Sequence, residues 1–143
     1  VKVFRAALMT GLVLQLLTGP IHLVGILSGP EAPSSEDERL LMDLMRRVEQ
    51  DFGAGFVRST ADILTGLSFQ YSIFMVMVGL TNLLALRMVK DGRFLRALSW
   101  LNVLSMGILA VNAYVYFFIA PLVLFVLPAI AFFVAAMTAK HVT

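Results

Sequence analysis

Hydrophobic residues along this chain fall into four long, nearly uninterrupted stretches, residues 3–28, 61–86, 97–119 and 121–139, separated by more polar connections. Each is close to or beyond the ~20 residues that a helix needs to cross ~30 Å of hydrocarbon. The stretches lack the period-two alternation of a barrel strand and are far longer than one. In hydrocarbon, only helices and closed barrels satisfy every backbone N–H and C=O. The pattern therefore predicts an all-α fold, an integral membrane four-helix bundle forming one domain, with the lipid bilayer as its immediate partner. A cleavable leader is the rival reading of the first stretch. Its apolar run exceeds the usual length and no Ala-x-Ala-like site follows, which favours a retained span.

The first connection carries a different period. Ser35-Glu36-Asp37-Glu38 has the spacing of a capping box, in which the serine hydroxyl accepts from the amide three residues on and Glu38 reaches back. Leu41, Leu44, Met45, Val48 and Phe52 then follow at helical spacing, with Arg39, Asp43, Arg46, Arg47 and Gln50 roughly opposite. This predicts an amphipathic helix near residues 35–50, with an Asp43–Arg47 pair one turn apart. It either rests across the mouth of the bundle or serves as a lid or docking surface. Phe52-Gly53-Ala54-Gly55-Phe56 reads as a flexible turn into the second stretch. It has neither the lysine nor the strand-turn-helix context of a phosphate-binding loop.

Breaks within and after the stretches are marked by proline and glycine. Gly19-Pro20 predicts a bend in the first helix, and Gly29-Pro30 its end. Ala120-Pro121 leaves almost no connection between the third and fourth stretches, so these pack as antiparallel neighbours. No repeat relates the two halves, which argues against an inverted-repeat transporter.

Charge orients the helices. Lys2 and Arg5 precede the first stretch, Arg87, Lys90, Arg93 and Arg96 flank the second connection, and Lys140 follows the last stretch. The first connection instead holds Glu31, Glu36, Asp37, Glu38, Asp43, Glu49 and Asp51 against four arginines. Short basic connections stay cytoplasmic, which predicts both termini inside and residues 29–60 outside. The net charge of +2 is spread over several connections, with no basic patch interleaved with aromatics, so no nucleic-acid partner is expected. Cysteine is absent, which excludes disulfides, iron–sulfur clusters and thiolate zinc.

No Asp, Glu, Lys or Arg lies deep in a stretch, which argues against proton pumps, ion-coupled carriers and voltage sensors. The polar groups that remain are neutral. Gly11, Gln15, Thr18 and His22 form a narrow seam on the first helix, and Gly25 and Gly29 form a Gly-x-x-x-Gly that permits close helix approach. Asp62, Gly66 and Gln70 share a face of the second, with Ser68 and Ser72 beside them. Ser99, Asn102, Ser105, Asn112 and Tyr116 recur along the third, and Ala131, Ala135 and Ala139 along the fourth. With a rise of ~1.5 Å per residue, His22, Gln70 and Asn112 all lie roughly 10 Å inside the outer ends of their helices. The expectation is that they meet there, with Asp62 nearer the surface. Together with Gln15 these are the candidate ligand-binding residues. As interhelical glue they would be worth roughly 0.6 kcal/mol each. As a pocket they would hold a lipid- or quinone-like headgroup, with His22 and Asp62 as an acid–base pair. No metal site, catalytic serine or cofactor is expected. His141 lies beyond the last stretch, too far from His22 for a two-histidine haem.

Thr18-Gly19-Pro20-Ile21-His22-Leu23, Gly66-Leu67-Ser68-Phe69 and Phe117-Phe118-Ile119-Ala120-Pro121 resemble elements of a family of small uncharacterised bacterial four-helix membrane proteins. A looser likeness is to DoxX-like proteins. Leu67 stands where the family would have Phe, and Pro121 stands alone where two prolines are common. The resemblance implies the fold and a bacterial inner membrane, but no activity. The reading that follows is a non-catalytic accessory or scaffold subunit of a larger membrane complex, of energy-converting type, with other membrane subunits as partners. The alternative is a small membrane enzyme or carrier for a hydrophobic lipid- or quinone-like substrate, using His22.

Overall fold

The computed structural model describes residues 2–29 and 32–139, so Pro30 of the expected stop signal, Lys140 and His141 lie outside the described residues. Among the described residues the fold is α-helical, with four long helices and one short one. Helix α1 spans Lys2–Leu27 and α2 spans Glu36–Arg47. A two-stranded hairpin follows, β1 (Glu49–Asp51) and β2 (Val57–Ser59), and then α3 (Thr60–Met88), α4 (Gly92–Tyr116) and α5 (Ile119–Thr138). Helices α1, α3, α4 and α5 are each long and apolar enough to cross a membrane.

The long helices pack in the order α3–α1–α5–α4. Helix α1 lies extensively against α3 and α5, α5 lies against α4, and α3 and α4 barely touch despite being adjacent in the chain. The α1–α3 contact is antiparallel and close because glycine occupies it. A Cβ on Gly19 would lie 2.6 Å from the Ser72 carbonyl oxygen, and one on Gly79 would lie 3.0 Å from a methyl of Leu16. On the α5 side, Phe132 covers Gly11. The close approaches thus fall at Gly11, Gly19 and Gly79, while Gly25 and Gly29 of the expected motif have open space beside them. Phe4, Leu8 and Leu12 of α1, Met75 of α3, Met106 of α4 and Phe132 of α5 form the buried core, with Ala135 and Ala139 closing it.

Several local elements follow the sequence closely. Helix α2 starts as its box predicts, the Glu38 amide donating to the Ser35 hydroxyl at 3.1 Å. The Glu38 carboxylate reaches one residue further back than expected, accepting from both the amide and the hydroxyl of Ser34. Asp43 and Arg47 pair at 2.6 Å. The helix stops at Arg47, because Glu49 and Gln50 enter the hairpin. Its turn needs positive φ at Gly53, Ala54 and Gly55, and the two glycines bear two of the three without steric cost. Helix α4 begins five residues before the expected stretch, since the Asp91 side chain accepts from the Arg93 amide and caps it. Helix α1 continues through Pro20 and ends at Leu27, just before Gly29 of the expected stop signal. Neighbouring helices make such a proline tolerable inside a bundle.

Candidate functional site

Two groups of polar side chains matter within the bundle, and they lie at different levels. The deeper is an amide triad. Asn82 of α3 donates through Nδ2 to Gln15 Oε1 of α1 at 3.0 Å and to Asn102 Oδ1 of α4 at 2.9 Å. Gln15 Nε2 donates to the same Asn102 oxygen at 3.2 Å, and Asn102 Nδ2 donates to the Leu98 carbonyl at 2.9 Å. All three amides are buried, Gln15 completely. The triad bonds mainly to itself, which makes it a clamp joining α1, α3 and α4 rather than a ligand pocket.

Helical geometry explains why Gln15 lies there. Its seam advances by four and then three residues, which keeps Gly11, Gln15 and Thr18 on one buried face. Asn82 was not singled out in the sequence. It ends the buried face of α3, which is spelled Ser72, Met75, Gly79, Asn82, again in mixed steps of three and four. Met75 and Gly79, between Ser72 and Asn82, are apolar, so no run of polar residues leads along the helix to Asn82.

The second group lies near the opposite end from the basic helix termini. There α1, the first half of α3 and the start of α5 enclose an open groove of about 530 Å³ lined by His22, Gly25, Thr65, Ser68, Phe118 and Pro121 among others. The half-buried His22 ring meets Tyr71 edge to face, with centroids 5.0 Å apart, and Tyr71 meets Phe125 in the same manner at 6.3 Å. The Tyr71 hydroxyl is buried without a hydrogen-bond partner among the described residues.

The expected meeting of His22, Gln70 and Asn112 does not form. Gln70 and Asn112 are exposed, neither lines the groove, and neither hydrogen-bonds to His22. The level was legible, since Tyr71, next to Gln70, does meet His22. The direction was not, because one residue turns a helix by about 100°. Asp62 is also elsewhere: its carboxylate accepts from the Ser59 hydroxyl at 2.7 Å and from the Ser59 amide at 3.3 Å, completing the capping box of α3. It is engaged in a helix cap and forms no pair with His22, so the expected His22–Asp62 dyad is not formed. Among the described residues, no three His, Asp or Glu side chains cluster as metal ligands would.

No protein-family model, curated protein or solved structure matches the chain.

Proposed function

We propose that the protein is a non-catalytic scaffold subunit of a larger membrane assembly, seated in a bacterial inner membrane with both termini on the cytoplasmic side. The observation that carries this reading is the exposure of Gln70 and Asn112. Both amides lie within helices long enough to span a membrane, and neither forms a hydrogen bond to another described residue. An amide facing hydrocarbon without a partner is costly, whereas one facing a neighbouring helix joins the two. Helix α2 supports the same reading. It buries none of its residues, and Leu40, Leu41, Leu44 and Val48 remain about half exposed or more, an apolar stripe suited to a partner outside the hydrocarbon.

The orientation follows from charge. Antiparallel packing gathers Lys2, Arg5, Arg87, Lys90, Arg93 and Arg96 at one end of the bundle, and basic ends remain in the cytoplasm. Membrane-impermeant thiol labelling of Arg39→Cys and Lys90→Cys in intact cells checks it: only the former should react from outside. Mild detergent extraction followed by native mass spectrometry tests the scaffold reading itself. The expected result is co-isolation with other membrane subunits in fixed ratio. A lone monomer or simple homodimer throughout would overturn it.

A further inference from the structure

We infer that the groove beside His22 is a binding site for an uncharged membrane amphiphile whose headgroup presents carbonyl oxygens. The reasoning starts from hydroxyls. In a spanning helix, a serine or threonine ordinarily donates to the carbonyl one turn back, because hydrocarbon offers no other partner. Thr18, Ser72, Thr81, Ser99, Ser105 and Thr138 all do so, at 2.7–3.1 Å. Thr65 and Ser68, which line the groove, do not; outside the groove, Thr10 and the first residue of α3, Thr60, are further exceptions. The groove thus collects two hydroxyls and the His22 imidazole, none of which makes a side-chain hydrogen bond to a described residue. Against that ring stands Tyr71, with its buried, unpartnered hydroxyl.

These groups share the ability to donate. Ser68 and Thr65 each offer an O–H and a neutral His22 imidazole offers one N–H, while Tyr71 lies behind the ring and is not part of the lining. The complementary headgroup therefore carries acceptors. It is uncharged, because among the described residues no Lys, Arg, Asp or Glu lines the groove and an unpaired charge would enter at high cost. The rest of the lining is apolar, including Ile21, Leu64, Leu124 and Phe118, and suits a ring or the upper part of a chain. The volume lies within the range of small-molecule sites. Quinones and glyceride esters share this chemistry: neutral, carbonyl-bearing and attached to an apolar tail.

The test uses the full chain purified in maltoside micelles, titrated with decyl-benzoquinone and with dioctanoylglycerol, and read by native-mass-spectrometry adducts and by Tm. A saturable one-to-one adduct with either probe supports the site, and the probe that binds identifies the source. Gly25→Leu fills the groove at a position where a Cβ meets nothing within 4 Å, so the variant should fold normally and lose the adduct. Thr65→Val/Ser68→Ala should weaken binding about tenfold. Absence of any adduct, or an adduct that persists unchanged in a folded Gly25→Leu protein, would overturn the proposal. So would equal binding of anionic dioctanoylphosphatidylglycerol.

Discussion

Asn82 Nδ2 donates to Asn102 Oδ1 at 2.9 Å, and this bond joins two helices, α3 and α4, that otherwise scarcely touch. Gln15 binds both partners from α1, so three helices are held in register by groups that have no other use in the core.

Removing one corner of this triad should cost more than removing all of it. Asn102→Leu strands the Gln15 Nε2 donor and deprives Asn82 of one acceptor, a loss of about 1–3 kcal/mol. The triple change Gln15→Leu/Asn82→Leu/Asn102→Leu leaves no orphaned amide and should regain most of that loss. Reversible unfolding in mixed micelles compares the two. A triple variant as unstable as the sum of the single changes would mean that shape, not hydrogen bonding, decides the site.

Gly19 offers a test of helix approach. Its missing Cβ would meet the Ser72 carbonyl oxygen at 2.6 Å, and backbone cannot move aside as a side chain can. Gly19→Ala should therefore destabilise the bundle by about 1–3 kcal/mol. Gly66→Ala and Gly107→Ala, with nothing within 4 Å, should be neutral or slightly stabilising. Thermal unfolding of the three variants side by side gives the comparison.

The bundle itself was legible because long apolar runs have few structural solutions. The facing of individual helices was less so, and the reason is visible on α4. Ser99, Asn102 and Ser105 advance in steps of three, each of which rotates the face by about 60°. The face that is buried, Leu95, Ser99, Asn102, Met106 and Ala113, advances by four, three, four and seven and holds its direction. Ser105, Asn112 and Tyr116 consequently lie exposed. The hairpin left no trace in the pattern, because three-residue strands such as Glu49–Asp51 are too short to display a period of two. The groove at His22 was legible only in part: His22 was identified from its seam, whereas Thr65 and Tyr71 needed the packing of α1 against α3 to show their place.

Helix α2 should respond to acid. The Ser34 amide and then the Ser34 hydroxyl, both donating to Glu38, hold its carboxyl below the ordinary carboxylate range. A folded pKa below the unfolded one contributes stability that is complete above the unfolded value of about 4.3 and is lost as pH falls through the lowered folded value. Hydrogen exchange at α2 amides should stay constant from neutral pH down to that range, after correction for intrinsic rates, and quicken below it. Glu38→Gln should show the quickened exchange already at neutral pH, with the long helices unchanged.

Gln70 and Asn112 separate stability from assembly. Each is exposed on a helix long and apolar enough to span a membrane and makes no hydrogen bond to another described residue. Gln70→Leu/Asn112→Leu therefore removes no hydrogen bond seen among the described residues and replaces two amides with groups compatible with lipid. Its free energy of unfolding should stay the same or rise by a few tenths to about 1 kcal/mol. In the proposed assembly the same change would remove two interhelical hydrogen bonds, so the fraction that co-isolates with partner subunits should fall. Quantitative pull-down of wild-type and double-variant protein from one membrane preparation reads the second effect, and unfolding of each purified chain reads the first. A variant that keeps both its stability and its full complement of partners would show that these amides face lipid or water rather than a neighbouring subunit.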